Sequence, residues 1–131
     1  MKIATHQKID SALCGRPVRL EEGASQVSFL ALESMAADDT GLVHGGFIFG
    51  LADYAAMICV NHPNVVLGAA DVKFLKPVRV NDRLLANAVL EQSEGKKRIV
   101  RVTVGSDDQK VFEGLFTCFV LAQHVLKVQS T

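Results

Sequence analysis

The chain has 131 residues, 49% of them apolar, which suits one domain of ordinary size with a substantial core. Basic and acidic residues balance at 14 each, so no charge excess marks a nucleic acid or other polyanion as a partner. The longest weakly charged apolar run, Phe47 to Val60, already contains Asp53 and is too short to span a bilayer, so no membrane partner is expected.

Residues 1–17 are mixed in character and end at the turn signal Gly15-Arg16-Pro17, so they are expected to form a short helix or an arm. Val18 to Glu22 and Ala24 to Ser34 read as two extended pieces around Gly23, the second alternating Val27, Phe29 and Ala31 with Ser28, Leu30 and Leu32. Residues 35–43 read as a loop. The run 45–60 is rich in alanine and other good helix formers and predicts a helix, stopped at Asn61-His62-Pro63 because proline cannot continue it. Val65 to Leu75, Arg83 to Glu91, Arg98 to Val104 and Val111 to Leu121 read as strands joined by short hairpin-like turns. A nearly all-apolar helix needs burial around most of its circumference, and a curved antiparallel sheet of five to six strands wrapped around it supplies that burial. The expected class is α+β, a single domain over residues 1–131 with 1–17 as its arm. The sheet's edge strands and one helix stripe stay uncovered, which predicts a homo-oligomer.

Three cysteines, Cys14, Cys59 and Cys118, form no C-x-x-C pair. They read as small hydrophobes in a reducing cytoplasmic setting. Met1 to His6 lacks the apolar region of a secretory signal. The histidines His6, His44, His62 and His124 are scattered, and none has zinc-site spacing, so no metal is expected.

Chemistry concentrates in His44-Gly45-Gly46-Phe47-Ile48-Phe49-Gly50-Leu51-Ala52-Asp53-Tyr54. A helix N-terminus presents amides without partners and favours negative charge, and paired glycines let a ligand approach Gly45 and Gly46 closely. A carboxylate in an apolar helix is costly unless satisfied or used. The neighbours of Asp53 at i±3 and i±4 (Phe49, Gly50, Ala56, Met57) are apolar or small, so an ordinary solvated stripe is a weak explanation for it. The two features together supply an oxyanion donor and a base or nucleophile, the parts that acyl transfer needs.

These residues resemble a known family. Gly41-Leu42-Val43-His44-Gly45-Gly46 followed by Leu51-Ala52-Asp53 is similar to the H-G-G-x(4)-L-A-D/E pattern of hotdog-fold acyl-CoA thioesterases, with the phenylacetate-degradation (PaaI-like) branch as the nearest match. Asn61 closing the helix, Phe74-Leu75-Lys76-Pro77 followed by Asn81-Asp82-Arg83-Leu84, and Val111-Phe112-Glu113-Gly114 in the final strand extend the likeness. The resemblance implies hydrolysis of an acyl-CoA or acyl-carrier thioester, with coenzyme A entering as part of the substrate and no separate cofactor. It implies that the Gly45 amide polarises the thioester carbonyl, that Asp53 attacks it or activates water, and that the site forms between subunits of a homodimer or homotetramer. Helix geometry agrees with a shared site: nine residues at about 100° each put His44 and Asp53 on opposite sides of one helix. The chain departs from the family pattern at Tyr54 and Met57, and residues 1–17 hold no equivalent of an arm asparagine, so the acyl group stays open.

His44 is expected to cap the helix or order its loop. Tyr54, Met57 and Phe74 are either packing residues or borders of the acyl space. Lys76, Arg79 and Lys97 are either solvated charges or a basic rim for the coenzyme phosphates. Asp38 and Asp39 read as turn residues. Asp39 and His44 also match the Asp/His spacing of MaoC-type hotdog hydratases, which keeps enoyl-CoA hydration open beside a non-catalytic acyl-CoA binder or sensor. No G-x-S-x-G elbow and no phosphate-binding loop is present.

Overall fold

The structure is a computed structural model and describes residues 1–128. In chain order the elements are α1 (Ser11–Cys14), β1 (Arg16–Glu21), β2 (Ala24–Leu30), α2 (Gly45–Val60), β3 (Val65–Phe74), β4 (Arg83–Glu94), β5 (Lys97–Ser106) and β6 (Gln109–Val120), with short 3-10 turns at Glu33–Met35 and Val125–Lys127. The six strands form one antiparallel sheet in the order β1-β2-β4-β5-β6-β3. Helix α2 has the bounds expected from the sequence. It ends where Asn61 turns left-handed (φ 52°) and returns its N–H to the Met57 carbonyl at 2.9 Å. No helix is long and apolar enough to cross a membrane among the described residues.

The sheet curls around α2. Ile48, Leu51, Ala52, Tyr54 to Cys59 are all buried, so the helix is enclosed on nearly every side. Its partners are the inward residues of each strand, among them Val27, Ala86, Val100, Val102, Val104, Phe112 and Phe116. Register sets these residues in rows across the sheet. One row runs Val27, Ala86, Val104, Phe112 and Phe74. The next runs Ser25, Ala88, Val102, Gly114 and Val72. Small residues in this second row let the helix approach closely, and the buried Ser25 hydroxyl donates to the Ala55 carbonyl at 2.7 Å.

Several bounds and one connection differ from the sequence reading. Strand β1 begins at Arg16, inside the expected arm, and β2 stops at Leu30 because the following segment bends into the Glu33–Met35 turn. The expected chain of hairpins holds for β4-β5-β6 but fails between β3 and β4. Strand β3 pairs with β6 at the far edge, and residues 75–82 carry the chain back across the sheet to β4. Strand neighbours depend on long-range packing, which local punctuation such as Pro77 does not encode. Strands β1 and β3 are left as the edges.

Gly114 tests the register. A Cβ there would lie 2.6 Å from Val72 Cγ1 and 2.9 Å from the Asp71 carbonyl oxygen. Gly114→Ala therefore is expected to destabilise the fold by about 1–3 kcal/mol, read from the midpoint of chemical denaturation.

Candidate functional site

The opening of α2 is held by backbone contacts. The Val43 N–H donates to the Val78 carbonyl and the His44 N–H to the Met35 carbonyl, both at 2.9 Å. The Ala36–Val43 bridge closes the loop before α2 on itself, and the Leu42–Arg79 bridge ties that loop to the segment after β3. This stitching brings the start of the helix beside the end of β3. There Gly45, Phe74 and Lys76, with Val43, Ile48 and Val111, line a cleft of about 320 Å³. Phe74 ends its inward row at the open edge of the sheet, so its ring is still 55% exposed. It packs edge-on against Phe112 (centroids 5.1 Å apart) and stands 3.2 Å from where a Cβ on Gly45 would be. Among the described residues, the Gly45 and Gly46 amides have no hydrogen-bond partner. The cleft therefore offers unpartnered amide at one wall, an aromatic face at another and an ammonium at its mouth.

Asp53 sits more than two turns further along α2, about 12 Å by helical rise from Gly45. It does not line the cleft. The Asp53 carboxyl is half-buried, and its Oδ1 is shut off from solvent without a hydrogen-bond partner among the described residues. Burial pushes its pKa up from the ordinary 3.8 to about 6. Two thiols feel its charge. Burial, and then the Asp53 charge, raise the pKa of Cys14 and carry that of Cys118 to about 12. Tyr54 (7% exposed) and Met57 (1%) flank Asp53 as packing residues.

The remaining sequence candidates fall as follows. His44 occupies the N-cap position, but its imidazole makes no capping hydrogen bond. The ring is exposed, edge-on to Phe47, and the loop is ordered through the His44 backbone instead. Gly46 is exposed at the same helix end. Arg79 shares the segment of Lys76 but lies outside the cleft lining. Lys97 begins β5 opposite Phe119, at the other end of the sheet from Gly45, so one protomer does not unite it with Lys76. Asp39 is exposed and makes no hydrogen bond to His44 among the described residues, whereas Asp38 accepts from Thr40 N (2.9 Å) and Oγ1 (2.6 Å). Sequence reasoning missed the proximity of Cys14 and Cys118 to Asp53, for which the sequence carries no local signal. A larger depression of about 560 Å³ lies on the outer face between β4, β5 and the β5–β6 turn and includes none of these candidates.

A curled six-stranded antiparallel sheet wrapped around one long apolar helix is the hotdog fold. The chain belongs to the thioesterase superfamily, whose family model matches residues 40–113. It is 48% identical to the uncharacterized protein PH1136 of Pyrococcus horikoshii. The two structures superpose with a TM-score of 0.95 over 97% of this chain and 98% of that one. It is 52% identical over 122 residues to a methylthioribose-1-phosphate isomerase of Aquifex aeolicus, covering 92% of this chain and 27% of that protein. It is 31% identical over 123 residues to the transcription factor FapR of Caldanaerobacter subterraneus, covering 93% of this chain and 62% of that protein. The chain thus spans about a quarter and three-fifths, respectively, of these two curated relatives.

A buried acid without a partner weakens the fold in a pH-dependent way. The folded state holds the Asp53 proton up to about pH 6, whereas the unfolded chain releases it near 3.8. Stability from this group is therefore full below 3.8 and is lost as pH rises through 6. Asp53→Asn is expected to stabilise the protein at pH 8, by about 1–2 kcal/mol after allowing for partial solvent screening, with the advantage fading towards pH 4. Thermal denaturation of both proteins across that range measures it.

Proposed function

We propose that the protein hydrolyses an acyl-CoA or acyl-carrier thioester to the free acid and thiol. The observation that carries this reading is the unsatisfied Asp53 carboxyl, placed on the enclosed helix of a thioesterase-superfamily fold. In the base route, Asp53 takes a proton from water as the water oxygen attacks the thioester carbon. The resulting oxyanion is held by the Gly45 amide, the C–S bond breaks, and the proton passes to the leaving thiolate. In the nucleophile route, Asp53 attacks the thioester carbon and the C–S bond breaks to release the thiolate; water then hydrolyses the resulting anhydride, and its proton passes to the thiolate. Water is the only co-reactant, and no cofactor enters the proposal.

Because one protomer separates Gly45 from Asp53, the reaction is assigned to a site shared between two copies in a dimer or tetramer. The cleft at Gly45 from one copy would face Asp53 of the other. Phe74 and Gly46 would border the thioester, Tyr54 and Met57 the acyl group. Lys76 and Arg79 would meet the phosphates of coenzyme A, and Lys97 would reach them only from another copy. One relative is a transcription factor, which favours a second reading, a non-catalytic binder on the same fold. The exposed, unlinked Asp39 gives the hydratase reading no geometric support.

A thiol-release assay over a panel of acyl-CoAs separates these readings. Hydrolysis is expected, with Asp53→Asn lowering kcat on the order of 100-fold or more while acyl-CoA binding persists. Binding with no turnover of any thioester would establish the sensor instead. The rate should fall on the acid side of about pH 6, because the carboxylate form is the active one and burial places its titration there. Single turnover in ¹⁸O-water tests the routes: label in the Asp53 carboxylate establishes the nucleophile route, with water attacking the anhydride at the Asp53 carbonyl, whereas the base route puts label only in the product acid. Sedimentation at micromolar concentration should show a dimer or tetramer, and a compact active monomer would refute the shared site.

A further inference from the structure

Residues 1–15 lie along α2 in a way that neither the reaction above nor the fold requires. Asn61, at the C-terminal end of α2, holds the start of this segment at two points. Its Oδ1 accepts from the Ala4 N–H at 2.7 Å, and its Nδ2 donates to the Lys2 carbonyl at 2.8 Å. The segment then runs back to α1, whose first turn is capped by the Asp10 carboxylate accepting from Ala12 N at 2.9 Å. Gly15 fastens this second end. Its φ is +93°, and a Cβ there would lie 2.6 Å from the Ser28 carbonyl oxygen and 2.7 Å from Val27 Cγ1, so the chain is wedged between β2 and α2 at a point that admits only glycine. Just before it, Cys14 packs on the core and its Sγ is 4.0 Å from the position of a Cβ on Gly50.

Gly50, Tyr54, Met57 and Asn61 are spaced i, i+4, i+7 and i+11, which makes them one stripe of the helix surface. The segment touches that stripe at both ends, at Asn61 and at Gly50. Asp53 borders the same stripe, three residues from Gly50 and four from Met57. Met57 is 1% exposed although it is on this side of the helix. We propose that residues 1–15 are a pinned strap that positions Asp53, closing water away from its carboxyl on the side that the sheet leaves open. The strap thus acts on the reaction through Asp53, and this role rests on the hydrolytic reading of that residue.

The groups facing Asp53 agree. They are the Cys14 thiol from α1 and the Cys118 thiol from β6. Neither is cationic, and burial is what raises the Asp53 pKa. Loosening the strap would therefore return the carboxyl towards ordinary carboxylate behaviour rather than expose a hidden ion pair.

Two substitutions release the strap from opposite sides. Asn61→Gly keeps the left-handed helix end and removes both side-chain bonds. Ala4→Pro removes the N–H that Asn61 accepts and leaves Asn61 intact. Hydrogen exchange should show faster exchange across residues 2–14 in both. The Asp53 carboxyl, followed by ¹³C NMR titration of the full chain, should then titrate about half a unit or more below the wild type. The acid limb of the rate profile should move with it, and kcat should fall several-fold with KM within about twofold. A strap that stays protected in both variants, or one that is released while the Asp53 titration is unmoved, would overturn the proposal. The NMR readout does not need turnover, so an inactive wild type with a strap-dependent Asp53 titration would end the hydrolase reading alone.

Discussion

Enclosure of α2 by the curled sheet is the constraint on which the rest of the molecule depends. A helix buried on nearly all sides has no solvated stripe to hold polar groups, so each one on it is either paired or held at a cost. Ser25 illustrates the first case from the strand side, its hydroxyl tied to the Ala55 carbonyl. Asp53 illustrates the second: its buried Oδ1 has no partner among the described residues, and burial displaces its titration upward, to about 6. A fold selected for stability alone would place an apolar residue there. The retained acid is the physical argument for chemistry at that position.

The same enclosure explains why the candidate site comes in two pieces. Helix α2 leaves the sheet's cover at its N-terminal end, where Gly45 and the exposed ring of Phe74 meet at the edge formed by β3. Asp53 lies inside, more than two turns on. One helix cannot present both to one carbonyl. Edge strands β1 and β3 carry unpaired backbone, and β3 runs directly to the cleft residues Phe74 and Lys76. Covering that edge with a second copy would bring a second α2 into play without any change within the protomer.

Thiols near the acid sharpen the view of its surroundings. Cys14 and Cys118 reach Asp53 from different elements, and both are pushed further from ionisation by its charge. Thiols of this kind act as small, soft packing groups rather than as nucleophiles. The environment of Asp53 is thus apolar on the strap side and on the β6 side alike.

Much of this was legible in the residues themselves. The limits of α2, the break at Asn61, the alternation of β2 and β5 and the oddity of Asp53 all follow from local periodicity and local propensity, which a linear sequence carries directly. The H-G-G and L-A-D spacing carried the family. Other features belong to the tertiary structure because they arise between segments distant in the chain. Strand β3 joins β6 rather than β4, since strand partners are chosen by packing over the helix and not by the turn that follows. Phe74 comes to Gly45 because register ends its row at the sheet's edge. The His44 ring leaves capping to the backbone, and Lys97 is carried to the far end of the sheet from Lys76. Residues 1–15 read as an unremarkable arm until Asn61 and Gly15 pin them along α2. Sequence determined which residue is the acid; only the packing of remote segments around it decided that one of its oxygens would be shut off from water.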